Sequence, residues 1–308
     1  MSADGRFAPS PTGPLHLGSL RTALVAWLMA RSQGARFLLR IEDLDTQRSR
    51  REFEAGQLSD LRALGIDWDG EPARQSERTA LYADAVNRLR ALGRVYPCFC
   101  SRAEARQAAS APHGEPQPSE SPPGELPEGA YPGTCARLPA ARAQRRIDAR
   151  DRYALRLRAD AARVDWHDRL LGNQRGTVDD FVVVRSDGVH AYQLAVVVDD
   201  AAQRIGEVVR GADLAASTPR QIVLQQLLGL STPTYAHVPL VLGPDGHRLA
   251  KRHHGATLAD RDEPAGGTLA LLASSLGLTA GCGSIASAAL LLERFDLALI
   301  PRASCKIL

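Results

Sequence analysis

The segment Pro9-Ser10-Pro11-Thr12-Gly13-Pro14-Leu15-His16-Leu17-Gly18-Ser19 carries the densest chemical signal in the chain. Its prolines and glycines enforce a rigid turn, and a helical pattern begins just behind it. Free backbone N–H groups and the positive dipole end of such a helix favour an anion such as phosphate. Gly18 would let a nucleotide base or ribose approach the backbone closely, and His16 is placed to donate a hydrogen bond to phosphate oxygens. A proline-rich turn with a capping histidine is the plainer reading. It explains the turn but not His-x-Gly-Ser at the start of the helix.

A second group is charged. Arg6 lies near the end of the first apolar run, Glu42 follows the run 36–41, Asp199 and Asp200 follow 191–198, and Arg210 follows 206–209. Charged side chains at the carboxyl ends of parallel strands are where an open α/β sheet binds ligands. Two guanidiniums with one carboxylate and Tyr192 nearby suit a zwitterion with an extra negative charge, such as an acidic amino acid, because the arginine fork binds carboxylates through two parallel hydrogen bonds. The competing reading is ordinary ion-pair residues. Lys251 is one of two lysines among 38 basic residues and follows the turn 243–246. A compact ammonium there can follow a pyrophosphate as charge develops in an in-line displacement. Cys98 and Cys100, in C-x-C spacing, and Cys135 suggest a metal site, with three buried free thiols as the alternative.

These residues need elements to hold them. Residues 5–97 alternate between strand-like and helical patterns: an apolar start at 6–8, a helix over 19–32, a strand over 36–41, and amphipathic helices over 52–64 and 77–92. That order predicts a parallel sheet with helices on its faces. Residues 109–129 are crowded with Pro, Ser, Gly and Glu and read as a looped insertion. Strands are expected at 153–157 and 181–185, with a hairpin signal at Ser186-Asp187-Gly188. Buried strands are expected at 191–198 and 206–209, a helix at 218–228, and a strand at 237–242.

Length and composition bound the rest. A chain of 308 residues is more than one compact core usually fills, so two domains are expected. No apolar run approaches ~18 residues, which argues against a membrane span, and the first residues lack an apolar leader, which points to the cytoplasm. The net charge of +3 permits a nucleic-acid partner without announcing one.

Taken together, the motifs resemble a known family. His16-Leu-Gly-Ser19 is similar to the HIGH signature, and Arg248-Leu-Ala-Lys-Arg252 to a degenerate KMSKS loop, of class I aminoacyl-tRNA synthetases. Residues 6–18, Arg40-Ile-Glu-Asp43, residues 191–200 and Val209-Arg-Gly-Ala-Asp213 resemble the glutamyl group specifically. The resemblance implies an α/β fold: a Rossmann-type parallel sheet with an inserted zinc-containing α+β domain and a short helical C-terminal extension. It divides the chain into a first catalytic half (1–97), an inserted zinc and acceptor-type domain (98–190) with the low-complexity loop 109–129, a second catalytic half with the KMSKS-like loop (191–260), and the extension (261–308). It implies a glutamate site at Arg6, Ala8, Ser10, Glu42, Tyr192 and Arg210, with Glu42 holding the ammonium and the arginines the carboxylates. The ATP site, with Mg2+ accompanying the nucleotide, would comprise His16, Gly18, Ser19 and Lys251. The first lysine and the serine of the KMSKS signature are replaced by Arg248 and Ala250.

The 53 residues from 256 to 308 are too few for the large helical anticodon-binding region of a glutamyl synthetase. The shorter layout resembles the branch of the family that attaches glutamate to queuosine in the anticodon loop of tRNA(Asp). Cys98-Phe99-Cys100 and Tyr131-Pro-Gly-Thr-Cys135 match that branch's C-x-C…Y-x3-C zinc pattern, with His113 as an alternative fourth ligand. The implied activity is ATP-dependent, RNA-independent activation of L-glutamate followed by transfer to queuosine. Charging of a tRNA 3′ end and a non-catalytic tRNA-binding role are the alternatives. No membrane and no protein partner are implied.

Overall fold

The structure, a computed structural model, describes residues 3–101, 103–104, 130–247, 249, 256–261, 263–278 and 285–306. Lys251 and the rest of the KMSKS-like loop apart from Leu249, His113 with the loop 109–129, and Cys282 lie outside the described residues.

The main sheet has seven strands: β1 (Asp4–Phe7), β2 (Phe37–Ile41), β3 (Ala73–Arg74), β6 (Arg163–Asp168), β7 (Gly172–Thr177), β9 (Ile205–Gly211) and β10 (Thr234–Val238). Their order across the sheet is β3-β2-β1-β9-β10-β6-β7, parallel throughout except for the terminal β6–β7 hairpin. A separate antiparallel sheet holds β4 (Val95–Cys98), β5 (Ala154–Leu157) and β8 (Phe181–Val184). Strands from the stretch 98–190 therefore enter both sheets. Parallel strands covered on both faces read as continuous apolar runs, and alternation along them sorts the two cores. Leu39, Val209 and Ala236 join one apolar cluster with α1 (Leu17–Ser32), while Val208 and Tyr235 join the other.

The α1 helix is buried at every position from Ala23 to Ala30, as befits a core helix rather than an amphipathic one. Gly5 permits its close seating: a Cβ there would come within 3.1 Å of the Ala30 Cβ. The other helices are α2 (Arg51–Ala63), α3 (Thr79–Ala91), α4 (Ala140–Asp148), α5 (Tyr192–Ala202), α6 (Thr218–Leu227) and α7 (Ala265–Ser275). A short parallel pair, β11 (Val241–Leu242) with β12 (Cys305–Lys306), closes the described chain. Among the described residues no helix is long and apolar enough to cross a membrane.

Two expectations are corrected. Residues 191–198 form most of α5, not a strand, so Asp199 and Asp200 sit at a helix end rather than a strand end. A short continuous apolar run does not distinguish a buried strand from a buried helix. The strand expected at 237–242 instead runs over Thr234–Val238 and breaks before Val241. Pro239 lies at the break, where it has no N–H for a ladder, and its carbonyl accepts a hydrogen bond from Arg21 Nη1 at 2.7 Å.

Candidate active site

In the main sheet β1 is flanked by β2 on one side and β9 on the other, so successive connections leave β1 in opposite directions. A crevice at the carboxyl ends of the strands is the expected ligand site at such a point. A cavity of about 480 Å³ lies there. Arg6, Ala8, Ser10, His16, Gly18, Ser19, Glu42, Tyr192 and Arg210, all singled out from sequence, line it together.

The proline-rich turn is pinned from outside. Gln57 of α2, fully buried, donates through Nε2 to the carbonyls of Ser10 (3.0 Å) and Gly13 (2.7 Å). The amides of Glu42 and Arg50 donate to Pro9 O and Pro11 O, each at 2.9 Å. His16 is the N-cap of α1: its Nδ1 accepts from the Ser19 amide at 3.1 Å, and Nε2 lies 3.2 Å from Ser19 Oγ. A neutral ring accepting at Nδ1 carries its proton on Nε2. Both flanks of the Lys251 segment are tied beside this turn. The Leu249 amide donates to Val241 O at 2.8 Å, and the Leu17 amide donates to Ala256 O at 2.7 Å.

The charged group forms a buried network. Asp200 Oδ1 accepts from Arg6 Nε at 3.2 Å and from Arg40 Nη1 at 2.6 Å. Arg40, wholly buried on β2, also reaches Gln203 Oε1 at 2.9 Å and Glu42 Oε1 at 3.4 Å. Burial alone would push the Asp200 carboxyl up, but Arg40 and Arg6 outweigh it and hold the group below its ordinary value. Glu42 goes the other way, because burial outweighs the attraction of Arg40 and Arg6. A cationic group brought into the cavity would relieve that strain on Glu42. Arg210 is held by neutral partners: His237 Nε2 at 3.0 Å, Gln221 Oε1 at 2.8 Å and Thr218 Oγ1 at 2.9 Å.

The sulfur atoms of Cys98, Cys100 and Cys135 lie within 4.8 Å of one another, with Cys100 Sγ 3.5 Å from Cys135 Sγ. Tyr131 Oη is 3.4 Å from Cys98 Sγ and 3.7 Å from Cys100 Sγ. A tetrahedral zinc with Zn–S bonds near 2.3 Å sets its ligands roughly 3.8 Å apart, so the donor set and its spacing fit. The Arg156 guanidinium lies 3.7 Å above the Tyr131 ring and donates to Cys98 Sγ at 3.2 Å. Burial, with the thiols of Cys135 and Cys98 beside it, raises Cys100 to about 11 against the opposing hydrogen bond to the Tyr131 phenol.

A second cavity, of about 850 Å³, runs from this cluster to the first. Ser10, Glu42 and Tyr192 line both, while Cys98, Cys100, Arg152, Arg156 and Arg185 line the second alone.

The family model described as tRNA synthetases class I (E and Q), catalytic domain, matches residues 3–273. The chain belongs to this family. As a class I synthetase of the E and Q type it is 55% identical over 278 residues to a glutamyl-Q tRNA(Asp) synthetase of Nocardia farcinica, covering 89% of this chain and 85% of that one. It is 52% identical over 267 residues to the protein of that name in Symbiobacterium thermophilum, covering 83% and 80%. The crystal structure of a glutamate tRNA ligase from Elizabethkingia meningosepticum, in complex with its amino acid, superposes with a TM-score of 0.83 at 25% identity, covering 100% of this chain and 67% of that one.

Three residues of the site, Gln57, Asp168 and His237, have no place in the sequence reading of it, and Arg40 enters only within the motif Arg40-Ile-Glu-Asp43, without a role. Arg40 did leave a signal, since a charge inside the apolar run Phe37-Leu-Leu-Arg-Ile41 must find buried partners. Asp168 and His237 lie 69 positions apart and left none.

Proposed function

We propose that this protein activates L-glutamate with ATP, without needing RNA, and transfers the glutamyl group to queuosine in the anticodon loop of tRNA(Asp). The observation that carries this reading is the 55% identity over 278 residues to a protein named for that activity. In the first step a glutamate carboxylate oxygen attacks the α-phosphorus of ATP; the new P–O bond forms as pyrophosphate leaves. In the second, a queuosine hydroxyl attacks the activated carbonyl and AMP leaves. Neither step calls for a side-chain nucleophile, so the protein's work is positioning and charge stabilisation.

In this reading Glu42 holds the ammonium, Arg6 and Arg210 the carboxylates, and Ala8, Ser10 and Tyr192 shape the amino-acid pocket. His16, Gly18, Ser19 and Lys251 receive ATP with its Mg2+. Cys98, Cys100, Cys135 and Tyr131 would hold one structural zinc, which ties the end of β4 to the segment around residue 135 and takes no part in either step. The acceptor nucleoside would arrive through the second cavity, where Arg152 and Arg185 can meet phosphates. Such a protein belongs in the cytoplasm, where ATP and tRNA meet.

The test is labelled-glutamate transfer to tRNA(Asp) with and without queuosine. Labelling of the modified tRNA alone is expected. Labelling of tRNA(Glu) at its 3′ adenosine would overturn the acceptor assignment. Absence of glutamate-dependent ATP–pyrophosphate exchange would overturn the reaction.

A further inference from the structure

The two arginines of the first cavity are held in different ways. Arg6 touches a carboxylate directly, with Asp200 Oδ1 at 3.2 Å. Arg210 touches an imidazole instead, and a carboxylate, Asp168, stands behind that ring. In the register of β9 and β10, Arg210 pairs with His237, which is wholly buried. His237 Nε2 accepts from Arg210 Nε at 3.0 Å, and Nδ1 lies 2.5 Å from Asp168 Oδ2. Asp168 is itself fixed, since its Oδ1 accepts from the amides of Leu170 (3.0 Å), Leu171 (2.8 Å) and His237 (3.2 Å).

The tautomer follows from the donors. A guanidinium has N–H groups and no acceptor, so the Nε2 facing it must present a lone pair; the ring proton is then on Nδ1, donated to Asp168. A protonated ring would face Arg210 with a second cation, and burial together with Arg210 lowers the basicity of His237. Asp168 therefore orients a neutral acceptor, and that acceptor orients the guanidinium. A carboxylate in the ring's place would neutralise Arg210 and take up the fork a ligand needs.

We propose that Asp168 and His237 are positioning residues that aim Arg210 at a ligand carboxylate while pairing its charge with no carboxylate among the described residues, and so set the preference for glutamate over glutamine. The inference rests on the reading that glutamate is the amino acid activated. A carboxamide would present its NH2 to the fork or leave the cation without a counter-charge, the kind of mismatch that discriminates strongly in a buried site.

Glutamate-dependent ATP–pyrophosphate exchange by the unaltered protein comes first; its absence would count against the functional reading, not the relay. With that activity in hand, Asp168→Asn turns an amide donor toward Nδ1, drives the proton to Nε2 and sets two donors face to face at Arg210. The KM for glutamate should rise about tenfold or more, the scale of one charge-assisted hydrogen bond, with the KM for ATP within about twofold and the glutamate-to-glutamine ratio reduced. His237→Leu should do the same, and His237→Gln, which can return an acceptor to Arg210, should recover part of the loss. An unchanged selectivity ratio in a folded variant, or equal losses for ATP and glutamate, would overturn the proposal. Nitrogen-15 NMR of the imidazoles in the unaltered protein gives a reading independent of any variant's folding. A neutral ring protonated on Nδ1 is expected, and a proton on Nε2 would overturn it.

Discussion

Arg6 and Arg40 meet on one oxygen, Oδ1 of Asp200, at 3.2 and 2.6 Å. Asp200 stands in the last turn of α5, the end of a helix dipole that disfavours a carboxylate. The two guanidiniums reverse that disadvantage and hold its pKa below the ordinary value. A depressed carboxyl pKa stabilises the fold above the unfolded value of about 4, and that stabilisation is lost as pH falls through the folded value. Asp200→Asn should cost about 3–5 kcal/mol at pH 7 in urea unfolding, because two buried cations lose a shared partner. The variant should also lose stability less steeply than the unaltered protein below about pH 4. An unaltered acid slope would count against the assignment.

Glu42 should behave in the opposite sense. Its pKa is raised, first by burial, so its contribution to stability is present below about pH 4.3 and is lost as pH rises through the folded value. Glu42→Gln should therefore melt at a higher temperature than the unaltered protein without ligand, while glutamate-dependent exchange falls by about tenfold or more. A lower Tm for the variant would refute the idea that Glu42 is held under strain for a ligand ammonium.

Gly18 offers a comparable split. A Cβ at this position would stand 3.1 Å from His16 Nδ1 and 3.2 Å from Cε1, so the ring must shift. Alanine is the better helix former by about 1 kcal/mol. Gly18→Ala should thus keep or slightly raise thermal stability and raise the KM for ATP about tenfold, with glutamate KM little altered. Equal KM values for ATP in the two proteins would show that the His16 ring position is immaterial.

The thiol cluster makes its own prediction. Protein purified without added zinc should carry about one equivalent, and Cys100→Ser should lose most of it with a drop in thermal stability. Cys100 lines the second cavity and not the first, so pyrophosphate exchange should persist while transfer to tRNA falls. Full zinc content in Cys100→Ser would reduce the cluster to buried thiols.

The sequence made the cavity's lining legible because the Pro9–Ser19 turn, Glu42 and Arg210 each interrupt an apolar pattern where a parallel sheet ends. What holds that lining in place was hidden. Gln57 looks like any polar residue on an amphipathic helix, yet it faces inward and holds two carbonyls of the turn. Asp168 reaches His237 only because β6 lies beside β10 in the sheet, an adjacency that crosses 69 positions of chain. The run 191–198 carries no helical period because four consecutive apolar residues, Leu194 to Val197, are all buried in α5, and period is informative only when one face meets water.

Ser10, Glu42 and Tyr192 stand in the wall common to both cavities. A mixed anhydride formed in the first is vulnerable to water at its carbonyl, and in the proposed arrangement the opening that admits an acceptor hydroxyl admits water as well. An RNA seated in the second cavity is then a stopper as much as a nucleophile. Glutamyl-adenylate made with no RNA present should drain slowly through that doorway, and even an inert nucleoside lodged there should slow the leak.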